Sequence, residues 1–306
     1  MDKKLLIFGA IALIVLVIAG TVLLLVGLSS MPYMGSGCVA VVKVEGEIAT
    51  SGTSGGLFGG GTTGSDDIAE LAKEAEDRSD VKAVVFEINS PGGSVVASRE
   101  IYESIKNVKK PKVAYFREVA ASGGYYVSMG TDYIIANPDT ITGSIGVIST
   151  HQELVGLFEK IGINETAITT GPHKDMGSAA RPMTEEEKQI IRDIIGEMYD
   201  EFKGVVRESR GSRLDLSQFD KMTDGRVVTG RQALKAGLVD ELGNKEDAIK
   251  KAAGLAGLGD DPGICDIAKP KGFFEEMFGA VGQGFGKALG GAVSAANPQG
   301  WKFGYR

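Results

Sequence analysis

Leu5 to Leu28, LLIFGAIALIVLVIAGTVLLLVGL, runs for 24 residues without a charge. A crossing of the hydrocarbon core takes about 20 apolar residues. A cleaved leader has a shorter apolar region, about 7–15 residues, with a small-residue cleavage site behind it. No A-x-A-like site closely follows this run. The run is therefore expected to be a retained transmembrane anchor over 5–28. Lys3 and Lys4 precede it, and the next basic residue is Lys43. The positive-inside rule then leaves residues 1–4 in the cytoplasm and everything after the span outside it, in a single-pass protein of the cell membrane.

Beyond a linker over 29–38, strands and helices alternate. VAVVKVEGEI (Val39–Ile48) is rich in β-branched residues and reads as a strand. Ser51 to Ser65 holds seven glycines in fifteen residues and is expected to be a mobile loop. A helix starts at Ser65 with Ile68, Leu71, Ala72 and Ala75 on one face. VKAVVFEIN (Val81–Asn89) reads as a buried strand, broken by SPGG and followed by a helix through Ile101 and Ile105. Further strands are expected at Val113–Phe116, Tyr133–Ala136 and Ile145–Ser149. Leu154, Leu157, Phe158 and Ile161 have helical spacing, and Thr184 with Glu187 makes a capping box for a long helix. A last helical unit starts at Thr229. This alternation predicts an α/β domain with a mostly parallel sheet.

Composition removes some classes of function. Apolar content of 43% and charged content of 24% are those of a folded domain. A net charge of −7 argues against a nucleic-acid surface. Cys38 and Cys265 make neither CxxC nor zinc spacing, so no metal site built on them is expected, and no sequence block calls for a cofactor. Whether the two pair is left open.

The chemistry centres on AASGGYY (Ala120–Tyr126). Ser122 either caps a helix in a tight turn, or something must come very close to its oxygen. A serine hydroxyl needs a base to become a nucleophile. A Ser–His–Asp triad would need His151 or His173, the two histidines of the chain. The alternative is a desolvated lysine, which must lose about three pKa units from ~10.4 to act near neutrality. Lys174, in GPHKD before the long helix, is the candidate. Acyl transfer also needs amide donors for an oxyanion, and glycine lets a substrate approach closest. SPGG (Ser90–Gly93) and Gly123 offer such amides.

NSPGG (Asn89–Gly93), AASGGYY, TGSIGV (Thr142–Val147), GPHKD (Gly171–Asp175) and DGRVVTGRQALKAGLVDELG (Asp224–Gly243) occur in that order. Together with the anchor they resemble the signal peptide peptidase A (SppA) family of membrane-anchored serine proteases, over about Val39 to Leu255. The resemblance implies Ser122 as nucleophile and Lys174 as general base. It implies Gly93 and Gly123 as oxyanion donors and Ser144 as the hydroxyl that orients the lysine. It implies a protease domain over 39–257 with a Clp protease/crotonase-like fold, a spiral of repeated ββα units, assembling into a homo-oligomeric ring. The serine and lysine of one site then come from one chain or from two. Remnant signal peptides or other apolar, unfolded segments near the bilayer are the implied substrates. A stomatin-partner-type membrane protease and a crotonase-like acyl-CoA enzyme are the alternatives.

Residues 258–306 form a Gly/Ala-rich tail ending in WKFGYR. Such an apolar, extendable segment is either a surface tail or an occupant of the chain's own active site.

Overall fold

The computed structural model describes Val17, residues 37–53, 61–259 and 261–267, and the backbone of 303–305. The expected anchor, residues 54–60 of the glycine-rich loop and most of the tail lie outside the described residues. Among the described residues no helix is long and apolar enough to cross a membrane. The chain divides into Met1–Gly37 and Cys38–Arg306, and the second unit carries the fold.

Its strands are β1 (Cys38–Glu45), β2 (Glu47–Ala49), β3 (Thr62–Gly64), β4 (Val81–Ser90), β5 (Gly93–Ser94), β6 (Lys112–Ala121) and β7 (Tyr133–Ala136). They continue with β8 (Ile141–Gly143), β9 (Ile148–Ser149), β10 (Val227–Thr229), β11 (Glu241–Leu242), β12 (Gly263–Cys265) and β13 (Phe303–Tyr305). The helices are α1 (Ser65–Asp77), α2 (Val95–Asn107), α3 (Gly123–Ser128), α4 (Val155–Ile161), α5 (Glu185–Arg210), α6 (Leu216–Met222), α7 (Gly230–Lys235) and α8 (Lys245–Leu255).

The main sheet runs β10-β8-β6-β4-β1-β12, with β7 beside β6 and β11 beside β7. Every pairing is parallel except β10 with β8. β6 forks. Val113–Phe116 pair with β7, and Val119–Ala121 pair with β8. The second sheet runs β3-β2-β5-β13-β9.

The apolar run of β4 is continuous because both faces are covered. Val84, Phe86 and Ile88 join the larger core with Val42, Val44, Ile101, Tyr126 and Phe202. Ala83 and Val85 face α8, whose Ala248, Ala252 and Ala253 let the helix lie close to the sheet. Burying one large apolar side chain contributes about 1.5–3 kcal/mol, so this two-sided core carries most of the stability. Glu87 is buried on the α8 side and is matched by Lys245 at 2.8 Å and Arg117 at 3.4 Å.

Several expectations shift. The first strand is two, because the chain turns at Gly46, where φ is +80° and a Cβ would meet the Gly61 carbonyl oxygen. The strand expected at Val113–Phe116 continues to Ala121, carried by its ladder with β8. Only Ile148–Ser149 of the expected Ile145–Ser149 strand pairs as a strand. The helix at Val155–Ile161 forms, but none of its residues is buried. Cys38 and Cys265 form a disulfide, with their Cα atoms 5.6 Å apart, between adjacent strands β1 and β12.

Candidate active site

Parallel pairing brings distant sequence blocks to one edge. Ser90, at the end of β4, lies opposite Ala120 of β6, and Ala121 lies opposite Gly143 of β8. NSPGG, AASGG and TGS therefore converge at the carboxyl ends of adjacent strands, where open α/β sheets place their sites.

Ser122 is the residue between β6 and α3. Its φ is 54° and ψ −118°, a conformation that costs a residue with a side chain about 1–3 kcal/mol. The surroundings enforce it. Its N–H donates to Gly143 O at 2.8 Å, and its own carbonyl accepts from Tyr126 N at 2.9 Å. α3 is buried throughout. The Tyr125 hydroxyl donates to Leu238 O at 2.8 Å. The Tyr126 ring meets Tyr102 and Phe202 edge-on, with centroids 5.4 and 5.1 Å away. Burial pushes both phenols up from their ordinary pKa.

The two readings of Ser122 now separate. It sits at the cap position of α3, but its side chain makes no capping bond. The hydroxyl is fully buried and has no hydrogen-bond partner among the described residues. A buried hydroxyl left unpaired costs about 1–3 kcal/mol, so this group adds nothing to the stability of the fold.

The glycines around it are required by contact. A Cβ on Gly123 would fall 2.4 Å from Ser98 Oγ and 3.3 Å from Gly93 N. One on Gly93 would fall 2.0 Å from Ile48 O, and one on Gly124 would fall 2.7 Å from Ser90 O. The Gly93 amide nitrogen thus lies beside the residue that follows Ser122, the proximity that two oxyanion donors would need. Ser144 is buried, has φ 51°, and donates its N–H to Arg226 O at 2.8 Å. It is one residue from the carbonyl that holds Ser122. Ser98, buried on α2 with Oγ bonded to Ser94 O at 2.8 Å, was not singled out from the sequence. Its only signal was the turn-later spacing from Ser94.

Lys174 stands apart. It is exposed, in a run of turns between α4 and α5. Because Ser122 Oγ has no partner, the chain by itself joins it neither to Lys174 nor to His151 or His173. The neighbours of Lys174 are tethered. Asp175 accepts two bonds from Arg181, each 2.8 Å, and Arg181 also donates to Glu187 at the start of α5. The Arg181 guanidinium, followed by the Thr184 N–H, holds the buried Glu187 carboxyl down at about 2.

Residues 104–259 match the model of peptidase family S49, and residues 65–140 that of Clp protease. A Methanocaldococcus jannaschii relative named as a protease is 37% identical over 94% of this chain and 94% of its own length. The chain belongs to peptidase family S49. A Synechocystis relative, also named as a protease, is 43% identical over 66% of this chain and 73% of its own length. The signal peptide peptidase SppA of Enterococcus faecium is 38% identical over 69% of this chain, a match spanning 61% of that relative. The resemblance to the SppA family holds. This S49 chain is a serine protease with a mixed α/β fold, in which residues 65–140 are similar to Clp protease.

Proposed function

We propose that this S49 chain is a membrane-bound endopeptidase in which Ser122 is the nucleophile and Lys174 the general base. The observation that carries the reading is the Ser122 hydroxyl, buried, unspent on capping and held beside Gly93 and Gly123. Ser122 Oγ attacks a peptide carbonyl as Lys174 takes its proton. The Gly93 and Gly123 amides hold the oxyanion. Lys174 then protonates the departing amine, and water enters through the same base to release the acyl group. Ser144 orients the lysine.

The lysine comes from a neighbouring protomer of a homo-oligomeric ring. The exposure of Lys174 supports this, as does the arm that bears it. Leu157, Ile161, Ile163 and Ile168 are exposed there, Ile168 almost wholly at 97%. Ile190, Ile191, Ile194 and Ile195 on the first half of α5 are also not fully buried. An apolar arm that packs on little of its own chain is suited to a second copy. Docking would strip water from the ammonium and favour the neutral amine a base requires.

The test mixes two inactive proteins. Ser122→Ala and Lys174→Ala should each abolish cleavage of an unstructured peptide, and subunit exchange between them should restore part of it. Activity retained in either single variant would falsify the assignment. Failure of the mixture to recover, with exchange verified, would return the lysine to the same chain.

Remnant signal peptides and apolar unfolded segments close to the bilayer are the proposed substrates. Residues 303–305 support an extended substrate, since as β13 they lie antiparallel between β5 and β9, with Tyr305 opposite Gly93. The same pairing favours the reading of the tail as an occupant of its own cleft. Deleting Gly282 to Arg306 should then lower KM for added peptide. An unchanged KM removes that role. Cutting of stomatin-type C-terminal segments in preference to signal peptides would move the enzyme to the stomatin-partner class.

A further inference from the structure

The turn that carries Lys174 has little apolar anchorage, since no residue from Ile163 to Glu186 is buried. Its position is set by polar contacts, and these converge on two adjacent residues of the first turn of α5. On one side of Lys174, His173 Nε2 lies 3.5 Å from Glu186 Oε1. On the other, Asp175 is joined through Arg181 to Glu187.

The second strut is the stronger. Arg181 donates Nε to Asp175 Oδ2 and Nη2 to Asp175 Oδ1, both at 2.8 Å. The other edge of the same guanidinium donates Nη1 to Glu187 Oε2 at 2.9 Å and Nη2 to Oε1 at 2.5 Å. Nη1 also donates to Pro182 O at 3.1 Å. Glu187 is 1% exposed, and a buried carboxylate must be paired.

Helix capping alone does not account for this. The capping box of α5 closes without Arg181, through Glu187 N to Thr184 Oγ1 at 3.2 Å and Thr184 N to Glu187 Oε2 at 2.9 Å. The bonds from Arg181 to Asp175 add nothing to the cap. What they do is tie the residue after Lys174 to a rigid 26-residue helix. A planar guanidinium can bridge two carboxylates in a fixed geometry, which an ammonium cannot.

We propose that Arg181 is a positioning residue, whose fork between Asp175 and Glu187 locks the Lys174 turn onto α5 and fixes where the lysine amine is presented. The proposal rests on the reading of Lys174 as the base.

The test uses the full chain in detergent and an unstructured peptide substrate. Asp175→Asn removes the charge and one of the two bonds of the strut while leaving Glu187 paired, and Arg181→Lys keeps the charge without the fork. Both should lower kcat about 10–100-fold, the loss expected when a reacting group is misplaced by about 1 Å. KM should stay within about twofold, as expected of a residue that positions the base and does not touch substrate. Melting of Asp175→Asn should match the parent, so that the loss is not one of folding. Arg181→Ala should recover part of its kcat on adding millimolar guanidinium. Lys174→Ala, run alongside, separates the two ways of failing. If it is inactive while Asp175→Asn and Arg181→Lys keep the parent kcat, the positioning role falls and the base stands. If Lys174→Ala itself keeps its activity, both fall.

Discussion

Around Ser122 every residue from Ala120 to Gly130 is buried, whereas from Gly146 to Glu186 none is. The two stretches hold the two halves of the proposed chemistry. In the first, a strained backbone is fixed by strands on both sides and by the packed rings of Tyr125 and Tyr126. In the second, the residue next to a lysine is tied by a short chain of charged bonds on an arm with exposed apolar residues. On the proposed reading, the nucleophile is preorganised within the chain, while the base is presented toward a second copy.

The sharpest break of that contrast is chemical. Ser122→Ala should lower kcat by at least about 10⁴-fold, as loss of a serine nucleophile does elsewhere, and Lys174→Ala should do the same. Their stabilities should then diverge. Ser122→Gly relieves the positive φ and should raise stability by about 1 kcal/mol in a denaturant titration, while Lys174→Ala should leave it unchanged. If Lys174→Ala unfolds the protein, the arm is part of the core after all.

Packing is the next measure. Phe86→Ala should cost about 3–5 kcal/mol, since the ring is fully buried between sheet and helices. Leu157→Ala on α4 should cost less than about 0.5 kcal/mol in the isolated chain, and should weaken self-association on sedimentation. Equal destabilisation by the two would end the distinction between centre and arm. Cys265→Ser should cost about 2–5 kcal/mol through release of β12 from β1, read as a lowered denaturation midpoint.

The smallest effect is on pH. The Glu187 carboxyl is held at about 2 by Arg181 and the Thr184 N–H. Its folded pKa is depressed, so its contribution to stability is complete above the ordinary carboxylate range and is lost as pH falls toward about 2. Amide exchange in the first turn of α5 should therefore quicken over that window before exchange at the Ser122 elbow does. Simultaneous loss of protection at both would place them in one cooperative unit.

Much of the fold could be read along the chain because its signals are local. VKAVVFEIN is a two-sided buried strand and says so by having almost no polar positions. Thr184 and Glu187 announce the start of α5. The glycines of SPGG and ASGG mark close approach, and contact distances bear this out at Gly93 and Gly123. What escaped has non-local causes. β6 runs on through Arg117 and Glu118 because β8 pairs with its far end, and β8 itself is only three residues long. The helical spacing of Leu157 and Ile161 forecast α4 correctly, but not that its apolar side would stay uncovered. The disulfide was undecidable until β12 lay beside β1.

By itself, the order of residues determined which groups are the candidates for chemistry: a serine among glycines, and a lysine before a capped helix. It could do so because small residues and caps act over a few bonds. Tertiary structure alone decided that the serine hydroxyl is not spent on its helix, that Gly143 clamps it from a neighbouring strand, and that the lysine faces outward. Those outcomes depend on which strand ends meet, and pairing across tens of residues is settled by burial of the whole sheet and by no local stretch.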